Sequence, residues 1–372
     1  MYKEEHIEWA EDILCKLKEK MPGVTKRTIN KIPYTTTDGR FDDLSESNPN
    51  WWTNGFWGGM MWQMYHATGE EIYKEAALIN EDKLDGSLSD FKGLDHDNGF
   101  KWLPTSAAHL KVEYSEKSLN RVRLAADNLA GRFNCKGNFI RAWNDENGNN
   151  AGWAIVDCLM NLPLLYRAWE NTNDPRYLHV ATSHADMALK YILREDGSVN
   201  HIVVFDPLTG EFIESRGGQG MKDGSSWTRG QAWGLYGFTL SFIHTKEERY
   251  LKAAERIADY FIKNIPESGL IPVDFLQPKE ISWQDSTAAA IAACGLLELS
   301  KASGNEGFED AAFRLLSALE RENVCWDPDR DELTEKCTAA YNDDRHEFTI
   351  IYGDYFFIEA VLKLAGKELF IW

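Results

Sequence analysis

HATGEEIYKEAA (66–77), KVEYSEKSLNRVRLAA (111–126), ENTNDPRYLHVA (170–181), IHTKEERYLKAA (243–254) and KASGNEGFEDAA (301–312) are five forms of one phrase. Each is a short polar turn, a helix start rich in Asp and Glu, and then an apolar residue followed by alanine, as expected of a capped helix turning an apolar face inward. The apolar marker falls at Tyr73, Leu119, Tyr177, Tyr250 and Phe308, at intervals of 46, 58, 73 and 58 residues. Apolar periodicity along the whole chain predicts about twelve helices, beginning near residues 4, 55, 70, 101, 116, 152, 175, 228, 247, 285, 306 and 353. The phrase then opens the second helix of successive hairpins. Repeated hairpins build either an open solenoid or a closed ring. The intervals are too irregular for tetratricopeptide or ankyrin arrays, and the inserted material falls between hairpins. A ring of six hairpins uses all twelve helices without exposed ends, so the expected fold is all-α, an (α/α)6 barrel forming a single domain over residues 1–372. In such a ring the inner helices surround a central cavity and the long connections line its mouth.

Those connections, 36–54, 91–100, 201–228 and 337–352, are rich in Gly, Asn, Asp and aromatic residues, and connections this long in a compact domain are usually functional. At 372 residues with 43% hydrophobic content, the chain can bury a core without disulfides or a metal. Fifty-nine acidic against 40 basic residues give a net charge of −19, which disfavours nucleic acid and anionic membranes as partners. A small ligand with one or two negative charges remains compatible if a local cation overrides that field. The cysteines, Cys15, Cys135, Cys158, Cys294, Cys325 and Cys337, have no metal-ligand spacing and read as free thiols of a reducing compartment. The first twenty residues form a charged amphipathic helix without an apolar signal core, and no apolar run approaches the roughly 18 residues of a membrane span. These features predict a cytoplasmic protein.

Chemistry concentrates in the connections. Tryptophans stand beside amides, glycine and arginine at 51–57, 227–233 and 282–285, which fits rings stacking on sugar faces while amides bond hydroxyls. Asp157 sits in an apolar run, AIVDCLMNLPLL, with Trp153 and Asn161 four residues to either side. Read as helix, this presents all three on one face, with burial raising the carboxyl toward the range of a general acid. A buried structural carboxylate is the equal alternative from spacing alone. Asp95-His96-Asp97-Asn98 precedes a helix; capping accounts for one carboxylate but not both, and paired carboxyls push their pKa values apart. Thr228 and Gln231 look like a capping box that places Arg229 in the first helical turn, beside free backbone N–H groups, as a compact carboxylate receptor. The runs 145–149 and 327–331 resemble the start of a calcium loop but lack its later ligands.

With these motifs assembled, the sequence resembles glycoside hydrolase family 88, the unsaturated glucuronyl hydrolases, over nearly its whole length. WTNGFWGG (52–59), LDHDNGF (94–100), IVDCLMNLPLL (155–165), DGSSWTRGQAWGLYGF (223–238), DSTAAAIAACGLLEL (285–299) and IYGDYFFIEA (351–360) carry the resemblance. It implies removal of a non-reducing-end 4,5-unsaturated uronic acid from disaccharides left by polysaccharide lyases, with no metal or organic cofactor. Asp157 becomes the general acid/base and Asp97 its partner carboxylate, while Trp52, His201, Gln219, Arg229 and Trp233 match substrate-contact positions. Tyr341 matches a further one within 338–348, a segment less typical of the family and without a Ser-rich, Lys-containing sulfate receptor. Family 105 unsaturated rhamnogalacturonyl hydrolases share the fold and chemistry, but DGSSWTRGQAWG favours family 88. An epimerase-like barrel needs histidines in its cavity, whereas His66, His109, His179, His184 and His244 fall in or beside predicted helices. A non-catalytic sugar-binding toroid is the remaining alternative.

Overall fold

The computed structural model describes residues 2–144 and 150–372. Counting the interrupted segment 98–112 as one, twelve long helices run through the described residues. They are α1 Glu4–Thr28, α2 Phe56–Thr68, α3 Glu71–Lys83, α4 98–112, α5 Glu116–Gly131, α6 Leu162–Thr172, α7 Pro175–Tyr191, α8 Thr228–Thr245, α9 Glu248–Lys263, α10 Ser286–Ser303, α11 Glu306–Asn323 and α12 Ile351–Leu364. The even-numbered helices pack side by side into an inner ring that closes where α12 meets α2. The odd-numbered helices back them, and α1 completes the sixth hairpin by packing on α12. The result is the (α/α)6 barrel that the repeated phrase predicts.

Composition decides which helix lies inside. α10 and α12 are mostly apolar or small and buried along nearly their whole length, charged Glu298, Asp354, Glu359 and Lys363 included. α9 buries only the stripe Tyr250, Ala253, Ala254, Ile257, Ala258 and Phe261 and gives its charged face to water. The phrase itself clamps neighbouring outer helices. Tyr177 Oη donates to Asp127 Oδ1 at 2.5 Å and Tyr250 Oη to Asp186 Oδ1 at 2.9 Å, with Arg176 and Arg249 on the same two carboxylates. In α5 the corresponding position is buried Ser118, not Leu119, because the N-cap is Ser115; the Ser118 hydroxyl lies 2.9 Å from His109 Nδ1.

Two local expectations fail. α6 begins at Leu162 rather than near 152: Trp153–Ile155 is a strand paired antiparallel with Ile202–Phe205, and Val156–Met160 is a 3₁₀ turn. Ile155 and Ala154 sit opposite Ile202 and Val203, so β-branched residues build a ladder, and Pro163 marks the true helix start. Trp153, Asp157 and Asn161 therefore share no helical face. At α8 the N-cap is Trp227, and the Thr228 hydroxyl instead donates to the carbonyls of Pro272 (2.7 Å) and Val273 (3.0 Å), so there is no capping box. Of the calcium-like runs, 145–149 lies outside the described residues, and in the other Asp331 is engaged by Arg27 and Arg40. The six cysteines are free thiols, and no helix among the described residues is long and apolar enough to cross a membrane.

Candidate active site

The connections at the N-terminal ends of the inner helices enclose a cavity of about 610 Å³. Trp51, Trp52 and Trp143 give it aromatic surface, Asn48, Asn50 and Gln219 give amides, and Asp95, His96, Asp97, Asp157 and His201 give titratable groups. Among the described residues, Lys92 is the one lysine or arginine on its lining.

Asp97 occupies the N-cap of α4 without capping it, and its own N–H donates to Asp95 Oδ1 at 2.9 Å. Asp95 thus takes the turn and leaves Asp97 for the cavity. Gly99 brings α4 against Asn161: a Cβ there would lie 2.6 Å from Asn161 Cα. The Asn161 side chain joins the two acidic segments, accepting from Phe100 N–H (2.8 Å) and donating to Asp97 Oδ1 (3.3 Å) and the Asp157 carbonyl (3.2 Å). Each carboxylate has its own histidine. His96 Nε2 lies 3.4 Å from Asp97 Oδ2, and His201 Nε2 lies 3.5 Å from Asp157 Oδ2. His201 Nδ1 accepts the Gln219 N–H at 2.9 Å, so it carries no proton; the ring is neutral and presents its Nε2–H to Asp157. Gly218 permits this, since at φ +56° it stands where a Cβ would meet His201 Nδ1 at 2.0 Å.

Burial raises the Asp97 carboxyl, and Asp95 and Asp157 add to the rise against the pull of His96. Burial presses on Asp157 as well, but His201, His96 and Arg229 outweigh it and hold that carboxyl below the usual range. The two are pushed apart as paired carboxyls should be, yet in the reverse order to the sequence expectation. Asp157, read as the raised acid, is the ionised member. Burial was legible in its apolar run; the donors around it come from elsewhere in the chain.

The model of Glycosyl Hydrolase Family 88 matches residues 24–340. The chain belongs to this family. It is 36% identical to the unsaturated glucuronyl hydrolase of Bacillus sp. strain GL1, over 94% of this chain and 96% of that protein. It is 32% identical to the unsaturated chondroitin disaccharide hydrolase of Streptococcus pyogenes serotype M1, over 84% of this chain and 80% of that one. The crystal structure of the Bacillus sp. GL1 enzyme, described as responsible for the degradation of glycosaminoglycan, matches with a TM-score of 0.89 at 34% identity, covering 94% of this chain and 96% of that chain.

The other expected contact residues of this family 88 barrel divide by depth. Trp52 lies on the cavity, its ring 5.3 Å from Phe100 and 5.0 Å from Tyr352. Trp233 has no exposed surface and packs 5.1 Å behind Phe100, one ring removed from the lining. Gln219 Nε2 donates to the Ala339 carbonyl at 2.9 Å, and the Gln219 carbonyl accepts the Tyr341 N–H at 2.9 Å, tying 338–348 to the rim. The Tyr341 ring packs on Trp283 at 5.4 Å. Arg229 is not an open receptor beside free N–H groups. It is buried, with Nη1 donating to Asp285 Oδ2 (2.5 Å) and Thr338 O (2.6 Å) and Nη2 to Ala339 O. Sequence reasoning missed His96 as the partner of Asp97, Trp143 as lining, and Asp285 as the counterion of Arg229, whereas Trp51 of the aromatic run 51–57 does line the cavity. The His96 signal was its place between two aspartates; Asp285 also caps α10, so its second oxygen left no local sign.

Proposed function

We propose that this glycoside hydrolase removes the 4,5-unsaturated uronic acid from the non-reducing end of lyase-generated disaccharides by hydrating its C4=C5 enol ether. Asp157 gives a proton to C4 and takes one from the water that adds at C5. The C5 hemiketal opens, the C1 centre collapses to the aldehyde, and the leaving sugar departs without attack at C1. Because Asp157 rests ionised, it must gain a proton when substrate enters. A uronate carboxylate beside it and the exclusion of water both raise its pKa. Asp97, raised by burial against the pull of His96, lies on the same wall.

The observation that carries this reading is the meeting of buried Asp97 and half-buried Asp157, each facing its own histidine, on one cavity lined by tryptophans and amides. The carbonyls of Thr338 and Ala339 are engaged by Arg229 and no cationic sulfate receptor lies on the cavity from 338–348, which favours unsulfated or lightly sulfated disaccharides. The acidic charge and free thiols support action in a reducing cytoplasm. Incubation with lyase-generated disaccharides from chondroitin, hyaluronan, heparin, gellan and rhamnogalacturonan, following the enol-ether ultraviolet absorbance, tests the proposal. Absorbance is expected to fall with at least one glucuronyl disaccharide, fastest with unsulfated members. Absorbance unchanged across the panel would refute it.

A further inference from the structure

We infer that His96 is a positioning residue for this reaction: it holds Asp97 against the cavity and supplies the charge that sets how tightly the carboxylate pair keeps its proton. The inference rests on Asp97 and Asp157 being the proton carriers proposed above.

The ring is fixed from several sides. Its side chain is 2% exposed, its backbone N–H donates to Ala142 O at 3.0 Å, and it stands edge-on to Trp143 with centroids 6.3 Å apart. Arg132 binds the carbonyls of Leu94 (3.1 Å) and Ala142 (3.0 Å), pinning the start of the His96 segment to its neighbour. With the His96 backbone held and Asp97 Oδ1 accepting from the Asn161 amide at 3.3 Å, the 3.4 Å contact between Asp97 Oδ2 and Nε2 is braced from both sides.

Comparison with the two histidines nearby gives the ring its role. His201 accepts a backbone N–H from Gln219 and His184 accepts one from Ile140, each at Nδ1, so neither can hold two ring protons. His96 has no such lock; its Nδ1 is buried without a hydrogen-bond partner. The groups that act on this corner are Asp97 on its own segment, Asp157 and Cys158 from the 3₁₀ turn, His184 from α7, and Arg132 just past α5. Burial opposes a charge on the His96 ring, but Asp97 and Cys158 outweigh it and hold the ring well above the ordinary histidine range. A cationic His96 favours the ionised form of Asp97 and, more weakly, of Asp157. Without it the pair binds protons more tightly, and a reaction that needs one proton shared between two carboxylates shifts toward higher pH on both limbs.

The test is kcat and KM of His96→Gln against pH with an unsaturated disaccharide, beside Asp97→Asn and Asp157→Asn. The expected result is a bell displaced upward by about one pH unit, with kcat near neutrality down about tenfold and KM changed much less. A profile in the wild-type position, whatever the melting temperature, would overturn the inference. Should His96→Gln not fold, nitrogen-detected imidazole NMR of the wild-type protein decides. A cationic His96 beside neutral His201 and His184 at neutral pH supports the inference, and a neutral His96 overturns it. Full activity in both aspartate variants would instead remove the carboxylate reading itself. Inactive aspartate variants with an unshifted His96→Gln profile would remove His96 alone.

Discussion

At the C-terminal ends of the inner helices, far from the cavity, Lys363 lies buried among Glu298, Glu359 and Glu368. Glu359 accepts the Tyr236 hydroxyl at 2.6 Å on one oxygen and the Trp372 indole N–H at 2.7 Å on the other, and Lys363 Nζ donates to Glu298 at 2.9 Å. At the cavity, Asp157 Oδ2 and His201 Nε2 face each other across 3.5 Å, both buried and with no better partner. Burial is common to the two ends, so burial does not distinguish them. A carboxylate whose oxygens are all supplied with donors is a fixture of the fold. One held by a single long contact and left facing a cavity is available to a substrate.

That contrast breaks most readily at Asp157. Asp157→Asn keeps the shape and loses the proton, so kcat is expected to fall by about 10²–10⁴-fold while the melting temperature changes little. Measured on one preparation, a destabilised variant with near-normal turnover would make Asp157 another fixture. Lys363→Met should do the opposite. Removing the buried ammonium that Glu298, Glu359 and Glu368 share is expected to cost about 3–5 kcal/mol in denaturant unfolding, with kcat of the folded fraction unchanged.

Arg229 lies between these extremes, its Nη1 and Nη2 paired and its Nε buried without a partner, and it is attached to the loop at the rim. Arg229→Lys keeps the charge and loses the fork that reaches Thr338 and Ala339, so it should raise KM and cost about 1–3 kcal/mol. Wild-type KM with lowered stability would place Arg229 with the fixtures. The smallest effect concerns Glu368, which burial raises to about 7 despite Lys363. Because folding favours its protonated form, its contribution is complete below its ordinary value of 4.5 and is lost as pH rises through 7. Glu368→Gln should therefore flatten the stability curve over that interval, giving a melting temperature that gains on wild type between pH 5 and pH 8. A constant difference would remove Glu368 from the pH dependence.

The ring was legible in the sequence because its signals are local: a cap, an acidic first turn and an apolar residue recur wherever an outer helix begins. Tyr250 and Phe308 could be read as buried for that reason. The carboxylates were legible as residue types out of place, Asp157 in an apolar run and Asp97 in a turn that needed one acid and had two. What the sequence concealed depends on partners distant along the chain. Arg229 meets Asp285 at 56 positions' separation, and the His201 tautomer is set by a main-chain N–H 18 residues on. The strand at Trp153–Ile155 was hidden because a short apolar run suits strand and helix equally until its partner is known. Trp52 and Trp233 looked alike beside their amides, and only the packing of Phe100 between them put one on the cavity and one behind it.

The central claim, that the bond is lost through hydration of the C4=C5 double bond, is tested most directly by running the wild-type reaction in heavy water and examining the released uronic acid by proton NMR at early times. Protonation of C4 by a fixed carboxyl group predicts one deuterium at C4, in a single configuration, appearing in step with the loss of enol-ether absorbance. Cleavage that releases the sugar while C4 remains free of deuterium would mean attack at C1, and would contradict the account.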